Sequence, residues 1–204
     1  MSLKSTYFTV KRRSEGTYKE KGSKFIGIAV PCWNEDEAKN YLSEWRKEHH
    51  QARHLCYAYR FGLSGDIYRA NDDGEPNNSA GAPILGQIQS FELSNVLIGV
   101  VRYYGGTKLG VGGLINAYRT AAKEAIEAAK IIEKEVFEWV DIHFEYADMP
   151  GVMNLLKKWE LSQESTDFEI SCKIKTKLPL NTAHELKEEL GQFPSLKIKS
   201  LGEY

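Results

Sequence analysis

The sequence has 204 residues, of which 42% are hydrophobic and 27% are charged, and its formal net charge at pH 7 is −1. This composition is that of a globular chain of one large or two small domains, and it excludes a disordered protein. Neither an apolar run of the ~20 residues that span a bilayer nor an apolar signal core at the N-terminus is present, so we expect a cytoplasmic protein without a membrane partner.

The N-terminal part of the chain predicts two strands followed by a helix. Residues 5–13 and 23–30 have the apolar content of strands, and residues 15–16 between them are typical of a turn. Asn34 is a good N-cap residue, and a glutamate three positions later completes a variant of the capping box. We therefore expect a helix that begins after Asn34 and runs to about His49.

A further strand is predicted over His54–Phe61, where side chains alternate between two faces. One of these faces carries Leu55, Tyr57, Tyr59 and Phe61. An aromatic face of this kind either forms core or offers a platform on which nucleic-acid bases stack. We favour the core interpretation because aromatic side chains chiefly supply buried area.

Three carboxylates, Asp72, Asp73 and Glu75, fall within four positions of a loop that is rich in turn-forming residues. Such a loop can hold a hard cation or supply an acid and a base. Alternatively, it is a solvated turn whose acids accept hydrogen bonds from neighbouring N–H groups, which is the interpretation we favour. After the loop, Ser79 is predicted to cap a helix over residues 80–90.

The most distinctive stretch begins with an apolar run, Val96–Val101, which predicts a strand buried on both faces. Five glycines follow within nine residues, and then an amphipathic pattern predicts a helix that contains Leu114 and Tyr118. A glycine-rich turn that carries Lys108 and leads into a helix suits an anion, because free N–H groups and the helix dipole point outward there. The glycines are at positions 105, 106, 110, 112 and 113.

This stretch matches neither of the familiar phosphate motifs. The spacing from Gly105 to Gly110 is that of a P-loop, but Val111 stands where a lysine is required. The Gly-x-Gly-x-x-Gly pattern of dinucleotide-binding proteins is also absent. A second interpretation therefore stays open, in which the glycines serve only tight turning and close packing between helix and strand.

A change of pattern near residue 135 predicts a second domain, so we place the domains at 1–134 and 135–204. The second domain has the element order β-α-β-β-α-β of a ferredoxin-like unit, with its middle strands at about 162–178. Alternating lysines line one face of its sheet, which either meets RNA or prevents strand aggregation. Because this domain holds 13 acidic and 8 basic residues, we favour the second interpretation.

Together these segments resemble the YigZ/IMPACT family. The resemblance rests on His54, Cys56, Ala58–Arg60, Asp72–Pro76, Ser79–Gly81, Pro83, Val101–Gly106, Leu109–Gly110 and Gly113–Leu114. It implies an α+β fold of two domains, the first resembling domain IV of elongation factor G and the second, ferredoxin-like one resembling its domain V. It also implies a translation-linked regulatory or binding protein whose partners are RNA, the ribosome or another protein. The resemblance supplies no catalytic residue, cofactor or metal site.

Two classes of function compete for this sequence. The leading hypothesis is a non-catalytic module that contacts RNA, the ribosome or a protein partner through the Arg-Tyr-Tyr-Gly-Gly segment at 102–106. The alternative is a metal-assisted enzyme that acts on a phosphorylated or acyl small molecule, in which the acidic loop recruits a divalent cation or a proton. The predicted binding residues are Arg53, His54, Arg60, Asp72, Asp73, Glu75, Arg102, Tyr103, Tyr104, Gly105, Gly106 and Lys108.

Overall fold

The structure, a computed structural model, describes residues 5–167 and 172–203. It confirms a mixed α+β architecture in which helices pack on antiparallel sheets. The chain divides into two compact units, one formed by Tyr7–Lys134 and the other by the described part of residues 135–203 together with residues 5–6. Among the described residues, no helix is both long and apolar enough to pass through a bilayer.

The elements of the larger unit are, in chain order, β1 (Thr6–Val10), β2 (Ser14–Glu20), β3 (Ser23–Pro31), α1 (Glu35–Glu48), β4 (His54–Phe61), β5 (Ile67–Asn71), α2 (Gly81–Ser90), β6 (Val96–Tyr103), α3 (Gly110–Glu127) and β7 (Ile131–Glu135). Five of the strands form an antiparallel sheet in the order β2-β3-β6-β4-β5. The remaining two, β1 and β7, pair in a separate two-stranded sheet.

Helices cover both faces of the five-stranded sheet. Residues of α2 and α3 form one core cluster with the sheet, which includes Tyr118, and α1 forms another on the opposite face, which includes Trp45. The central strand β6 contributes to both clusters, Val100 to the first and Val101 to the second, which confirms the strand buried on both faces. The aromatic face of β4 belongs to the α1 cluster, which confirms the core interpretation of that face.

The start of α1 confirms the predicted capping box. The Asn34 Oδ1 accepts a hydrogen bond from the Glu37 N–H at 2.9 Å, and the Glu37 Oε2 accepts one from the Trp33 N–H at 3.1 Å. The Glu37 N–H is one of the groups that a helix start leaves without a backbone partner, and the reciprocal bond goes to Trp33, one residue before the N-cap, instead of to Asn34 itself.

The prediction of a turn at residues 15–16 is wrong, because β2 runs through these residues and pairs with β3 along its whole length. β2 is an edge strand of mostly polar residues, so it lacks the apolar content by which strands are predicted. A Cβ on Gly16 would collide with the backbone of Ala125 in α3, so this glycine permits close helix–sheet contact. The chain reverses instead at Lys21 and Gly22, both of which have positive φ.

The smaller unit comprises β8 (Phe137–Phe144), a 3-10 turn (Tyr146–Asp148), α4 (Met149–Lys158), β9 (Ser165–Asp167), β10 (Cys172–Pro179), α5 (Ala183–Leu190) and β11 (Lys197–Glu203). Its antiparallel sheet has the order β11-β8-β10-β9, and both helices pack on one face of it, in a core that includes Ile142, Leu156 and Leu186. The predicted order of elements is confirmed. Residues 168–171, which fall in the predicted middle strands, lie outside the described residues.

Candidate anion-binding cleft

A cavity of about 430 Å³ opens where β6 ends and α3 begins. Its walls come from the start of β4, the acidic loop, the end of β6 with the loop after it, and the first turn of α3. The acidic loop and the glycine-rich stretch therefore line one cavity, although they are far apart in sequence. The predicted binding residues that line it are Arg53, His54, Glu75, Arg102, Tyr104 and Lys108.

A buried ion pair forms the inner wall of the cavity. The Nη1 of Arg102 donates to the Oε1 of Glu75 at 2.5 Å, and the hydroxyl of Tyr118 donates to the same oxygen at 2.8 Å. The Arg102 and Glu75 side chains are only 8% and 5% exposed. Burial above all, and then the neighbouring Cys56 and Glu75, raise the pKa of Tyr118, so its hydroxyl remains a neutral donor. The Glu75 carboxylate thus has a cation and a hydroxyl as internal partners.

Two aromatic rings hold the guanidinium of Arg102 in place, since its central carbon lies 5.5 Å from the ring centroid of Phe25 and 5.5 Å from that of Tyr104. Arg102 is therefore not the free phosphate ligand that the sequence predicts, because Glu75 already pairs with its charge. Its buried Nε has no hydrogen-bond partner within the described part of the chain. A buried donor without a partner costs about 1–3 kcal/mol, so a ligand that supplies an acceptor here recovers that cost.

The start of α3 is the second cationic feature of the cavity. Leu109 occupies the N-cap position and offers no side-chain acceptor, and the first turn of the helix contains no acidic residue. The N–H groups of this turn are not capped by a side chain, and Gly110 and Val111, which carry two of them, line the cavity. Arg53 and Lys108 are exposed beside it, and within the described residues neither forms an ion pair. The helix dipole and two cations together favour an anion here.

The twin glycines do not line the cavity, contrary to the sequence-based prediction. The N–H of Gly105 donates to the Oγ of Ser23 at 3.1 Å, and a Cβ at this position would collide with the backbone of Gly22. Gly105 is therefore a point of close contact between two chain segments. Gly106 has a φ of +87° and open space around its Cα, so it serves the turn. The amides that face the cavity belong to the helix start instead.

Arg60 and Tyr103 also lie away from the cavity, so the structure does not bring them together with the other predicted binding residues. Arg60 is at the opposite end of β4 from His54, where its guanidinium donates to the carbonyl oxygens of Leu93 and Ser64, each at 3.0 Å. Tyr103 follows Arg102 in a strand, and successive side chains of a strand face opposite ways. Its hydroxyl lies 2.9 Å from the Nδ1 of His49, on the α1 side of the sheet.

Asp72 caps α2, a role that the sequence assigns to Ser79. The Oδ1 of Asp72 accepts hydrogen bonds from the N–H groups of Ala80 and Gly81 at 2.9 and 2.8 Å, and its Oδ2 accepts one from Asn78 at 2.9 Å. The hydroxyl of Ser79 instead donates to a carbonyl oxygen of the loop. The interpretation that the acids of this loop cap neighbouring N–H groups is correct for Asp72.

Asp73 joins the acidic loop to α1 and β4. Its carboxylate forms an ion pair with Arg46 and accepts a hydrogen bond from the N–H of Leu55 at 2.6 Å. Its carbonyl oxygen lies 2.8 Å from the Nδ1 of His54. Within the described residues, no group of three or more His, Cys, Asp and Glu is placed to hold a metal ion. All three carboxylates of the acidic loop are thus paired with protein groups.

Replacing Asp72 with alanine should destabilise the protein by about 1–2 kcal/mol, because two N–H groups at the start of α2 and one in the loop before it lose their acceptor. Urea denaturation followed by circular dichroism measures this change. Asp66→Ala removes an exposed aspartate of the same unit and serves as the control, with an expected change within about 0.5 kcal/mol. Equal stability of the two variants would contradict the capping role of Asp72.

Sequence reasoning missed the apolar part of the cavity wall. The residues concerned are Pro76, Leu109, Val111 and Leu114, together with the backbone of Gly110. The available signal was the predicted start of a helix in the glycine-rich stretch, because the first turn of a helix presents backbone N–H groups whatever its side chains are.

The fold and the cleft define a class: a two-unit α+β protein with a cation-rimmed cavity at a helix N-terminus. The Impact N-terminal domain family matches residues 21–126, a range that contains every residue of the cleft. The IMPACT family member YvyE of Bacillus subtilis (strain 168) is 34% identical over 153 residues, which are 75% of this chain and 70% of that protein. The chain belongs to the IMPACT family.

Two further comparisons extend the similarity to most of the chain. The IMPACT family member YigZ of Escherichia coli (strain K12) is 30% identical over 175 residues, which are 85% of this chain and 86% of that protein. A crystal structure of a hypothetical protein superposes with a TM-score of 0.76 at 27% sequence identity, and the match covers 98% of this chain and 99% of the other. The expected YigZ/IMPACT resemblance is thus confirmed.

Proposed function

We propose that this protein is a non-catalytic binding protein that contacts phosphate groups of RNA through the cleft at the N-terminus of α3. The observation that carries the proposal is the helix start without a side-chain cap, which opens on a cavity flanked by Arg53 and Lys108. A phosphate accepts hydrogen bonds from backbone N–H groups and is attracted by the helix dipole. The two exposed cations add the electrostatic term that dominates affinity for nucleic acids.

The remaining wall of the cleft suits a nucleotide better than a bare anion. Tyr104 is 53% exposed and lines the cavity, so one face of its ring is available to a base. Stacking of a base on an aromatic side chain contributes about 1–3 kcal/mol. Arg102 and Glu75 hold the inner wall in shape, while the unpaired Nε of Arg102 offers one more donor.

We extend the proposal to the family-level role and fold. The chain would act in translation as a regulatory or binding protein, with RNA, the ribosome or a protein as partner. Its two units would correspond to domains 1–134 and 135–204, with folds like domains IV and V of elongation factor G. The sheet order β11-β8-β10-β9 supports a ferredoxin-like second domain, because the split β-α-β-β-α-β motif places its strands in this order.

The test is the affinity for a fluorescein-labelled single-stranded RNA, measured by fluorescence anisotropy from about 50 to 200 mM salt. The wild-type affinity should fall steeply as salt rises. The double variant Arg53→Ala, Lys108→Ala should bind about tenfold more weakly, and the slope of log K against log salt should be shallower by about 1.4, since each lost phosphate contact removes about 0.7.

The matched control is Lys39→Ala, Lys47→Ala, which removes two positive charges from α1, a helix on the opposite face of the sheet. This variant should retain affinity within about twofold, because distant exposed charges are screened by salt. If the cleft variant and the control bind alike, or if affinity does not depend on salt, the cleft is not the RNA site.

A further inference from the structure

The sheet of the smaller unit has one face that its helices do not cover. Val140 and Ile142 of β8 and Ile174 of β10 point into the helical core, so the alternate residues of these strands face the other way. On that second face, β10 places three lysines and β11 two, and Trp139 lies beside them on β8. We call this surface the lysine face; its residues are Trp139, Lys173, Lys175, Lys177, Lys197 and Lys199.

The lysines of this unit are concentrated on one side of its sheet, where the strand register also places Asp141 and Asp167. Five of the eight lysines in residues 135–204 lie on the lysine face. Three of the 13 acidic residues belong to α5, which packs on the opposite face of the sheet. The acidic total of the unit, which favours an aggregation-blocking role in the sequence-based interpretation, therefore does not describe the field at this surface.

Protection of a sheet edge does not explain two of the three lysines of β10. In the order β11-β8-β10-β9 the edges are β11 and β9, whereas β10 lies inside the sheet. Lysines that block aggregation belong on edge strands, where backbone groups are unpaired. Because β9 pairs with β10 at Lys173 and Lys175, edge protection does not account for these two lysines, whereas Lys177 lies beyond the end of that pairing.

Most of these ammonium groups are available to an anion. Lys173 pairs with Asp141 at 2.9 Å and Lys177 with Glu164 at 3.4 Å, and both lysine side chains are about 40% exposed. The Lys177–Glu164 pair is exposed on both sides, so it contributes little and a phosphate competes with it easily. The side chain of Asp141 is only 10% exposed, so Lys173 stays paired with it and is not counted among the available cations. Lys175, Lys197 and Lys199 form no ion pair in the described part of the chain.

Trp139 gives the lysine face an aromatic centre. The ammonium groups of Lys175 and Lys177 lie 4.8 and 4.5 Å from the centroid of its ring. An indole flanked by flexible cations combines the two elements by which single strands are bound without sequence preference, namely an aromatic ring for a base and cations for the phosphates. A duplex lacks the first contact because its bases are already stacked on each other.

We propose that the lysine face binds single-stranded nucleic acid, with Trp139 stacking on a base and the lysines contacting the flanking phosphates. This site is independent of the α3 cleft, because it uses residues of the other unit. It would give the protein a second contact with a strand, through a surface that discriminates single strands from duplexes.

The test uses the full chain and a labelled 12-nucleotide single-stranded RNA, with a DNA strand of the same sequence and an RNA duplex as parallel probes. The variant Lys175→Glu, Lys199→Glu should weaken single-strand binding at least tenfold. The control Lys157→Glu, Lys158→Glu changes the net charge equally on α4, and it should stay within about threefold of wild type. Trp139→Leu should weaken binding of the single strand about five- to hundredfold and that of the duplex much less.

The outcomes separate this inference from the cleft. If the lysine-face and control variants bind alike, or if the duplex binds as well as the single strand, the lysine face is not the site. If Arg53→Ala, Lys108→Ala weakens RNA binding and the lysine-face variant does not, the cleft alone is the site. If only the lysine-face variant weakens RNA binding, the lysine face alone is the site. Equal binding of DNA and RNA is compatible with the inference, because stacking and phosphate contacts do not use the 2′-hydroxyl.

Discussion

Replacing Glu75 with alanine should destabilise the protein by roughly 3–5 kcal/mol, because the guanidinium of Arg102 would stay buried without its counter-charge. The hydroxyl of Tyr118 would lose its acceptor at the same time. This is a large fraction of the ~5–15 kcal/mol by which a typical domain is stable. Urea denaturation followed by circular dichroism measures the change, and Glu44→Ala, at an exposed position of α1, is the control.

A double variant separates the loss of the ion pair from the cost of an isolated charge. Glu75→Leu combined with Arg102→Met should be clearly more stable than Glu75→Ala, because replacing both members of a buried pair by apolar residues removes the uncompensated charge. In a double-mutant cycle the two positions should show a coupling of at least about 1 kcal/mol. Additive effects would mean that solvent reaches Arg102 and that the pair does not shape the cleft.

The secondary structure could be predicted where the sequence carries a local signal. The apolar run of β6 and the capping box at Asn34 are such signals, and both predictions hold in the structure. The polar edge strand β2 carries none, because its partner β3 and the helix α3 behind it supply its stability. Its Gly16 therefore looks like a turn residue, although in the folded chain this glycine leaves room for the backbone of α3.

The cleft could be predicted only in part, because its geometry depends on strand register. His54 and Arg102 meet because they are opposite each other in the pairing of β4 with β6, and a shift by one residue would bring Tyr103 to that face instead. The partner of Arg102 is 27 residues away in sequence. No local sequence pattern shows that Glu75 binds this arginine or that Asp72, three positions earlier, caps a helix.

Gly27→Ala should destabilise the protein by about 3 kcal/mol, at the upper end of the range for overpacking. A Cβ on Gly27 would collide with the carbonyl oxygen of Ala121 and lie 2.8 Å from its carbonyl carbon, and both atoms belong to the backbone of α3. A backbone cannot rotate out of the way as a side chain does, so α3 has to move off the sheet. Urea denaturation measures the stability of the variant, and titration with the labelled RNA measures whether its affinity for RNA has changed.

Gly86→Ala is the matched control, because Gly86 lies inside α2 and, apart from its chain neighbours and the backbone of its own helix, no atom is within 4 Å of the position that its Cβ would take. Alanine is the better helix former, so this variant should be more stable by up to about 1 kcal/mol. The contrast tests how the cleft is built, since Gly27 lets α3 lie directly on β3 and thereby sets the helix start beside the end of β6. If Gly27→Ala were as stable as the control, the packing of α3 on the sheet would not fix the position of the amides that face the cavity.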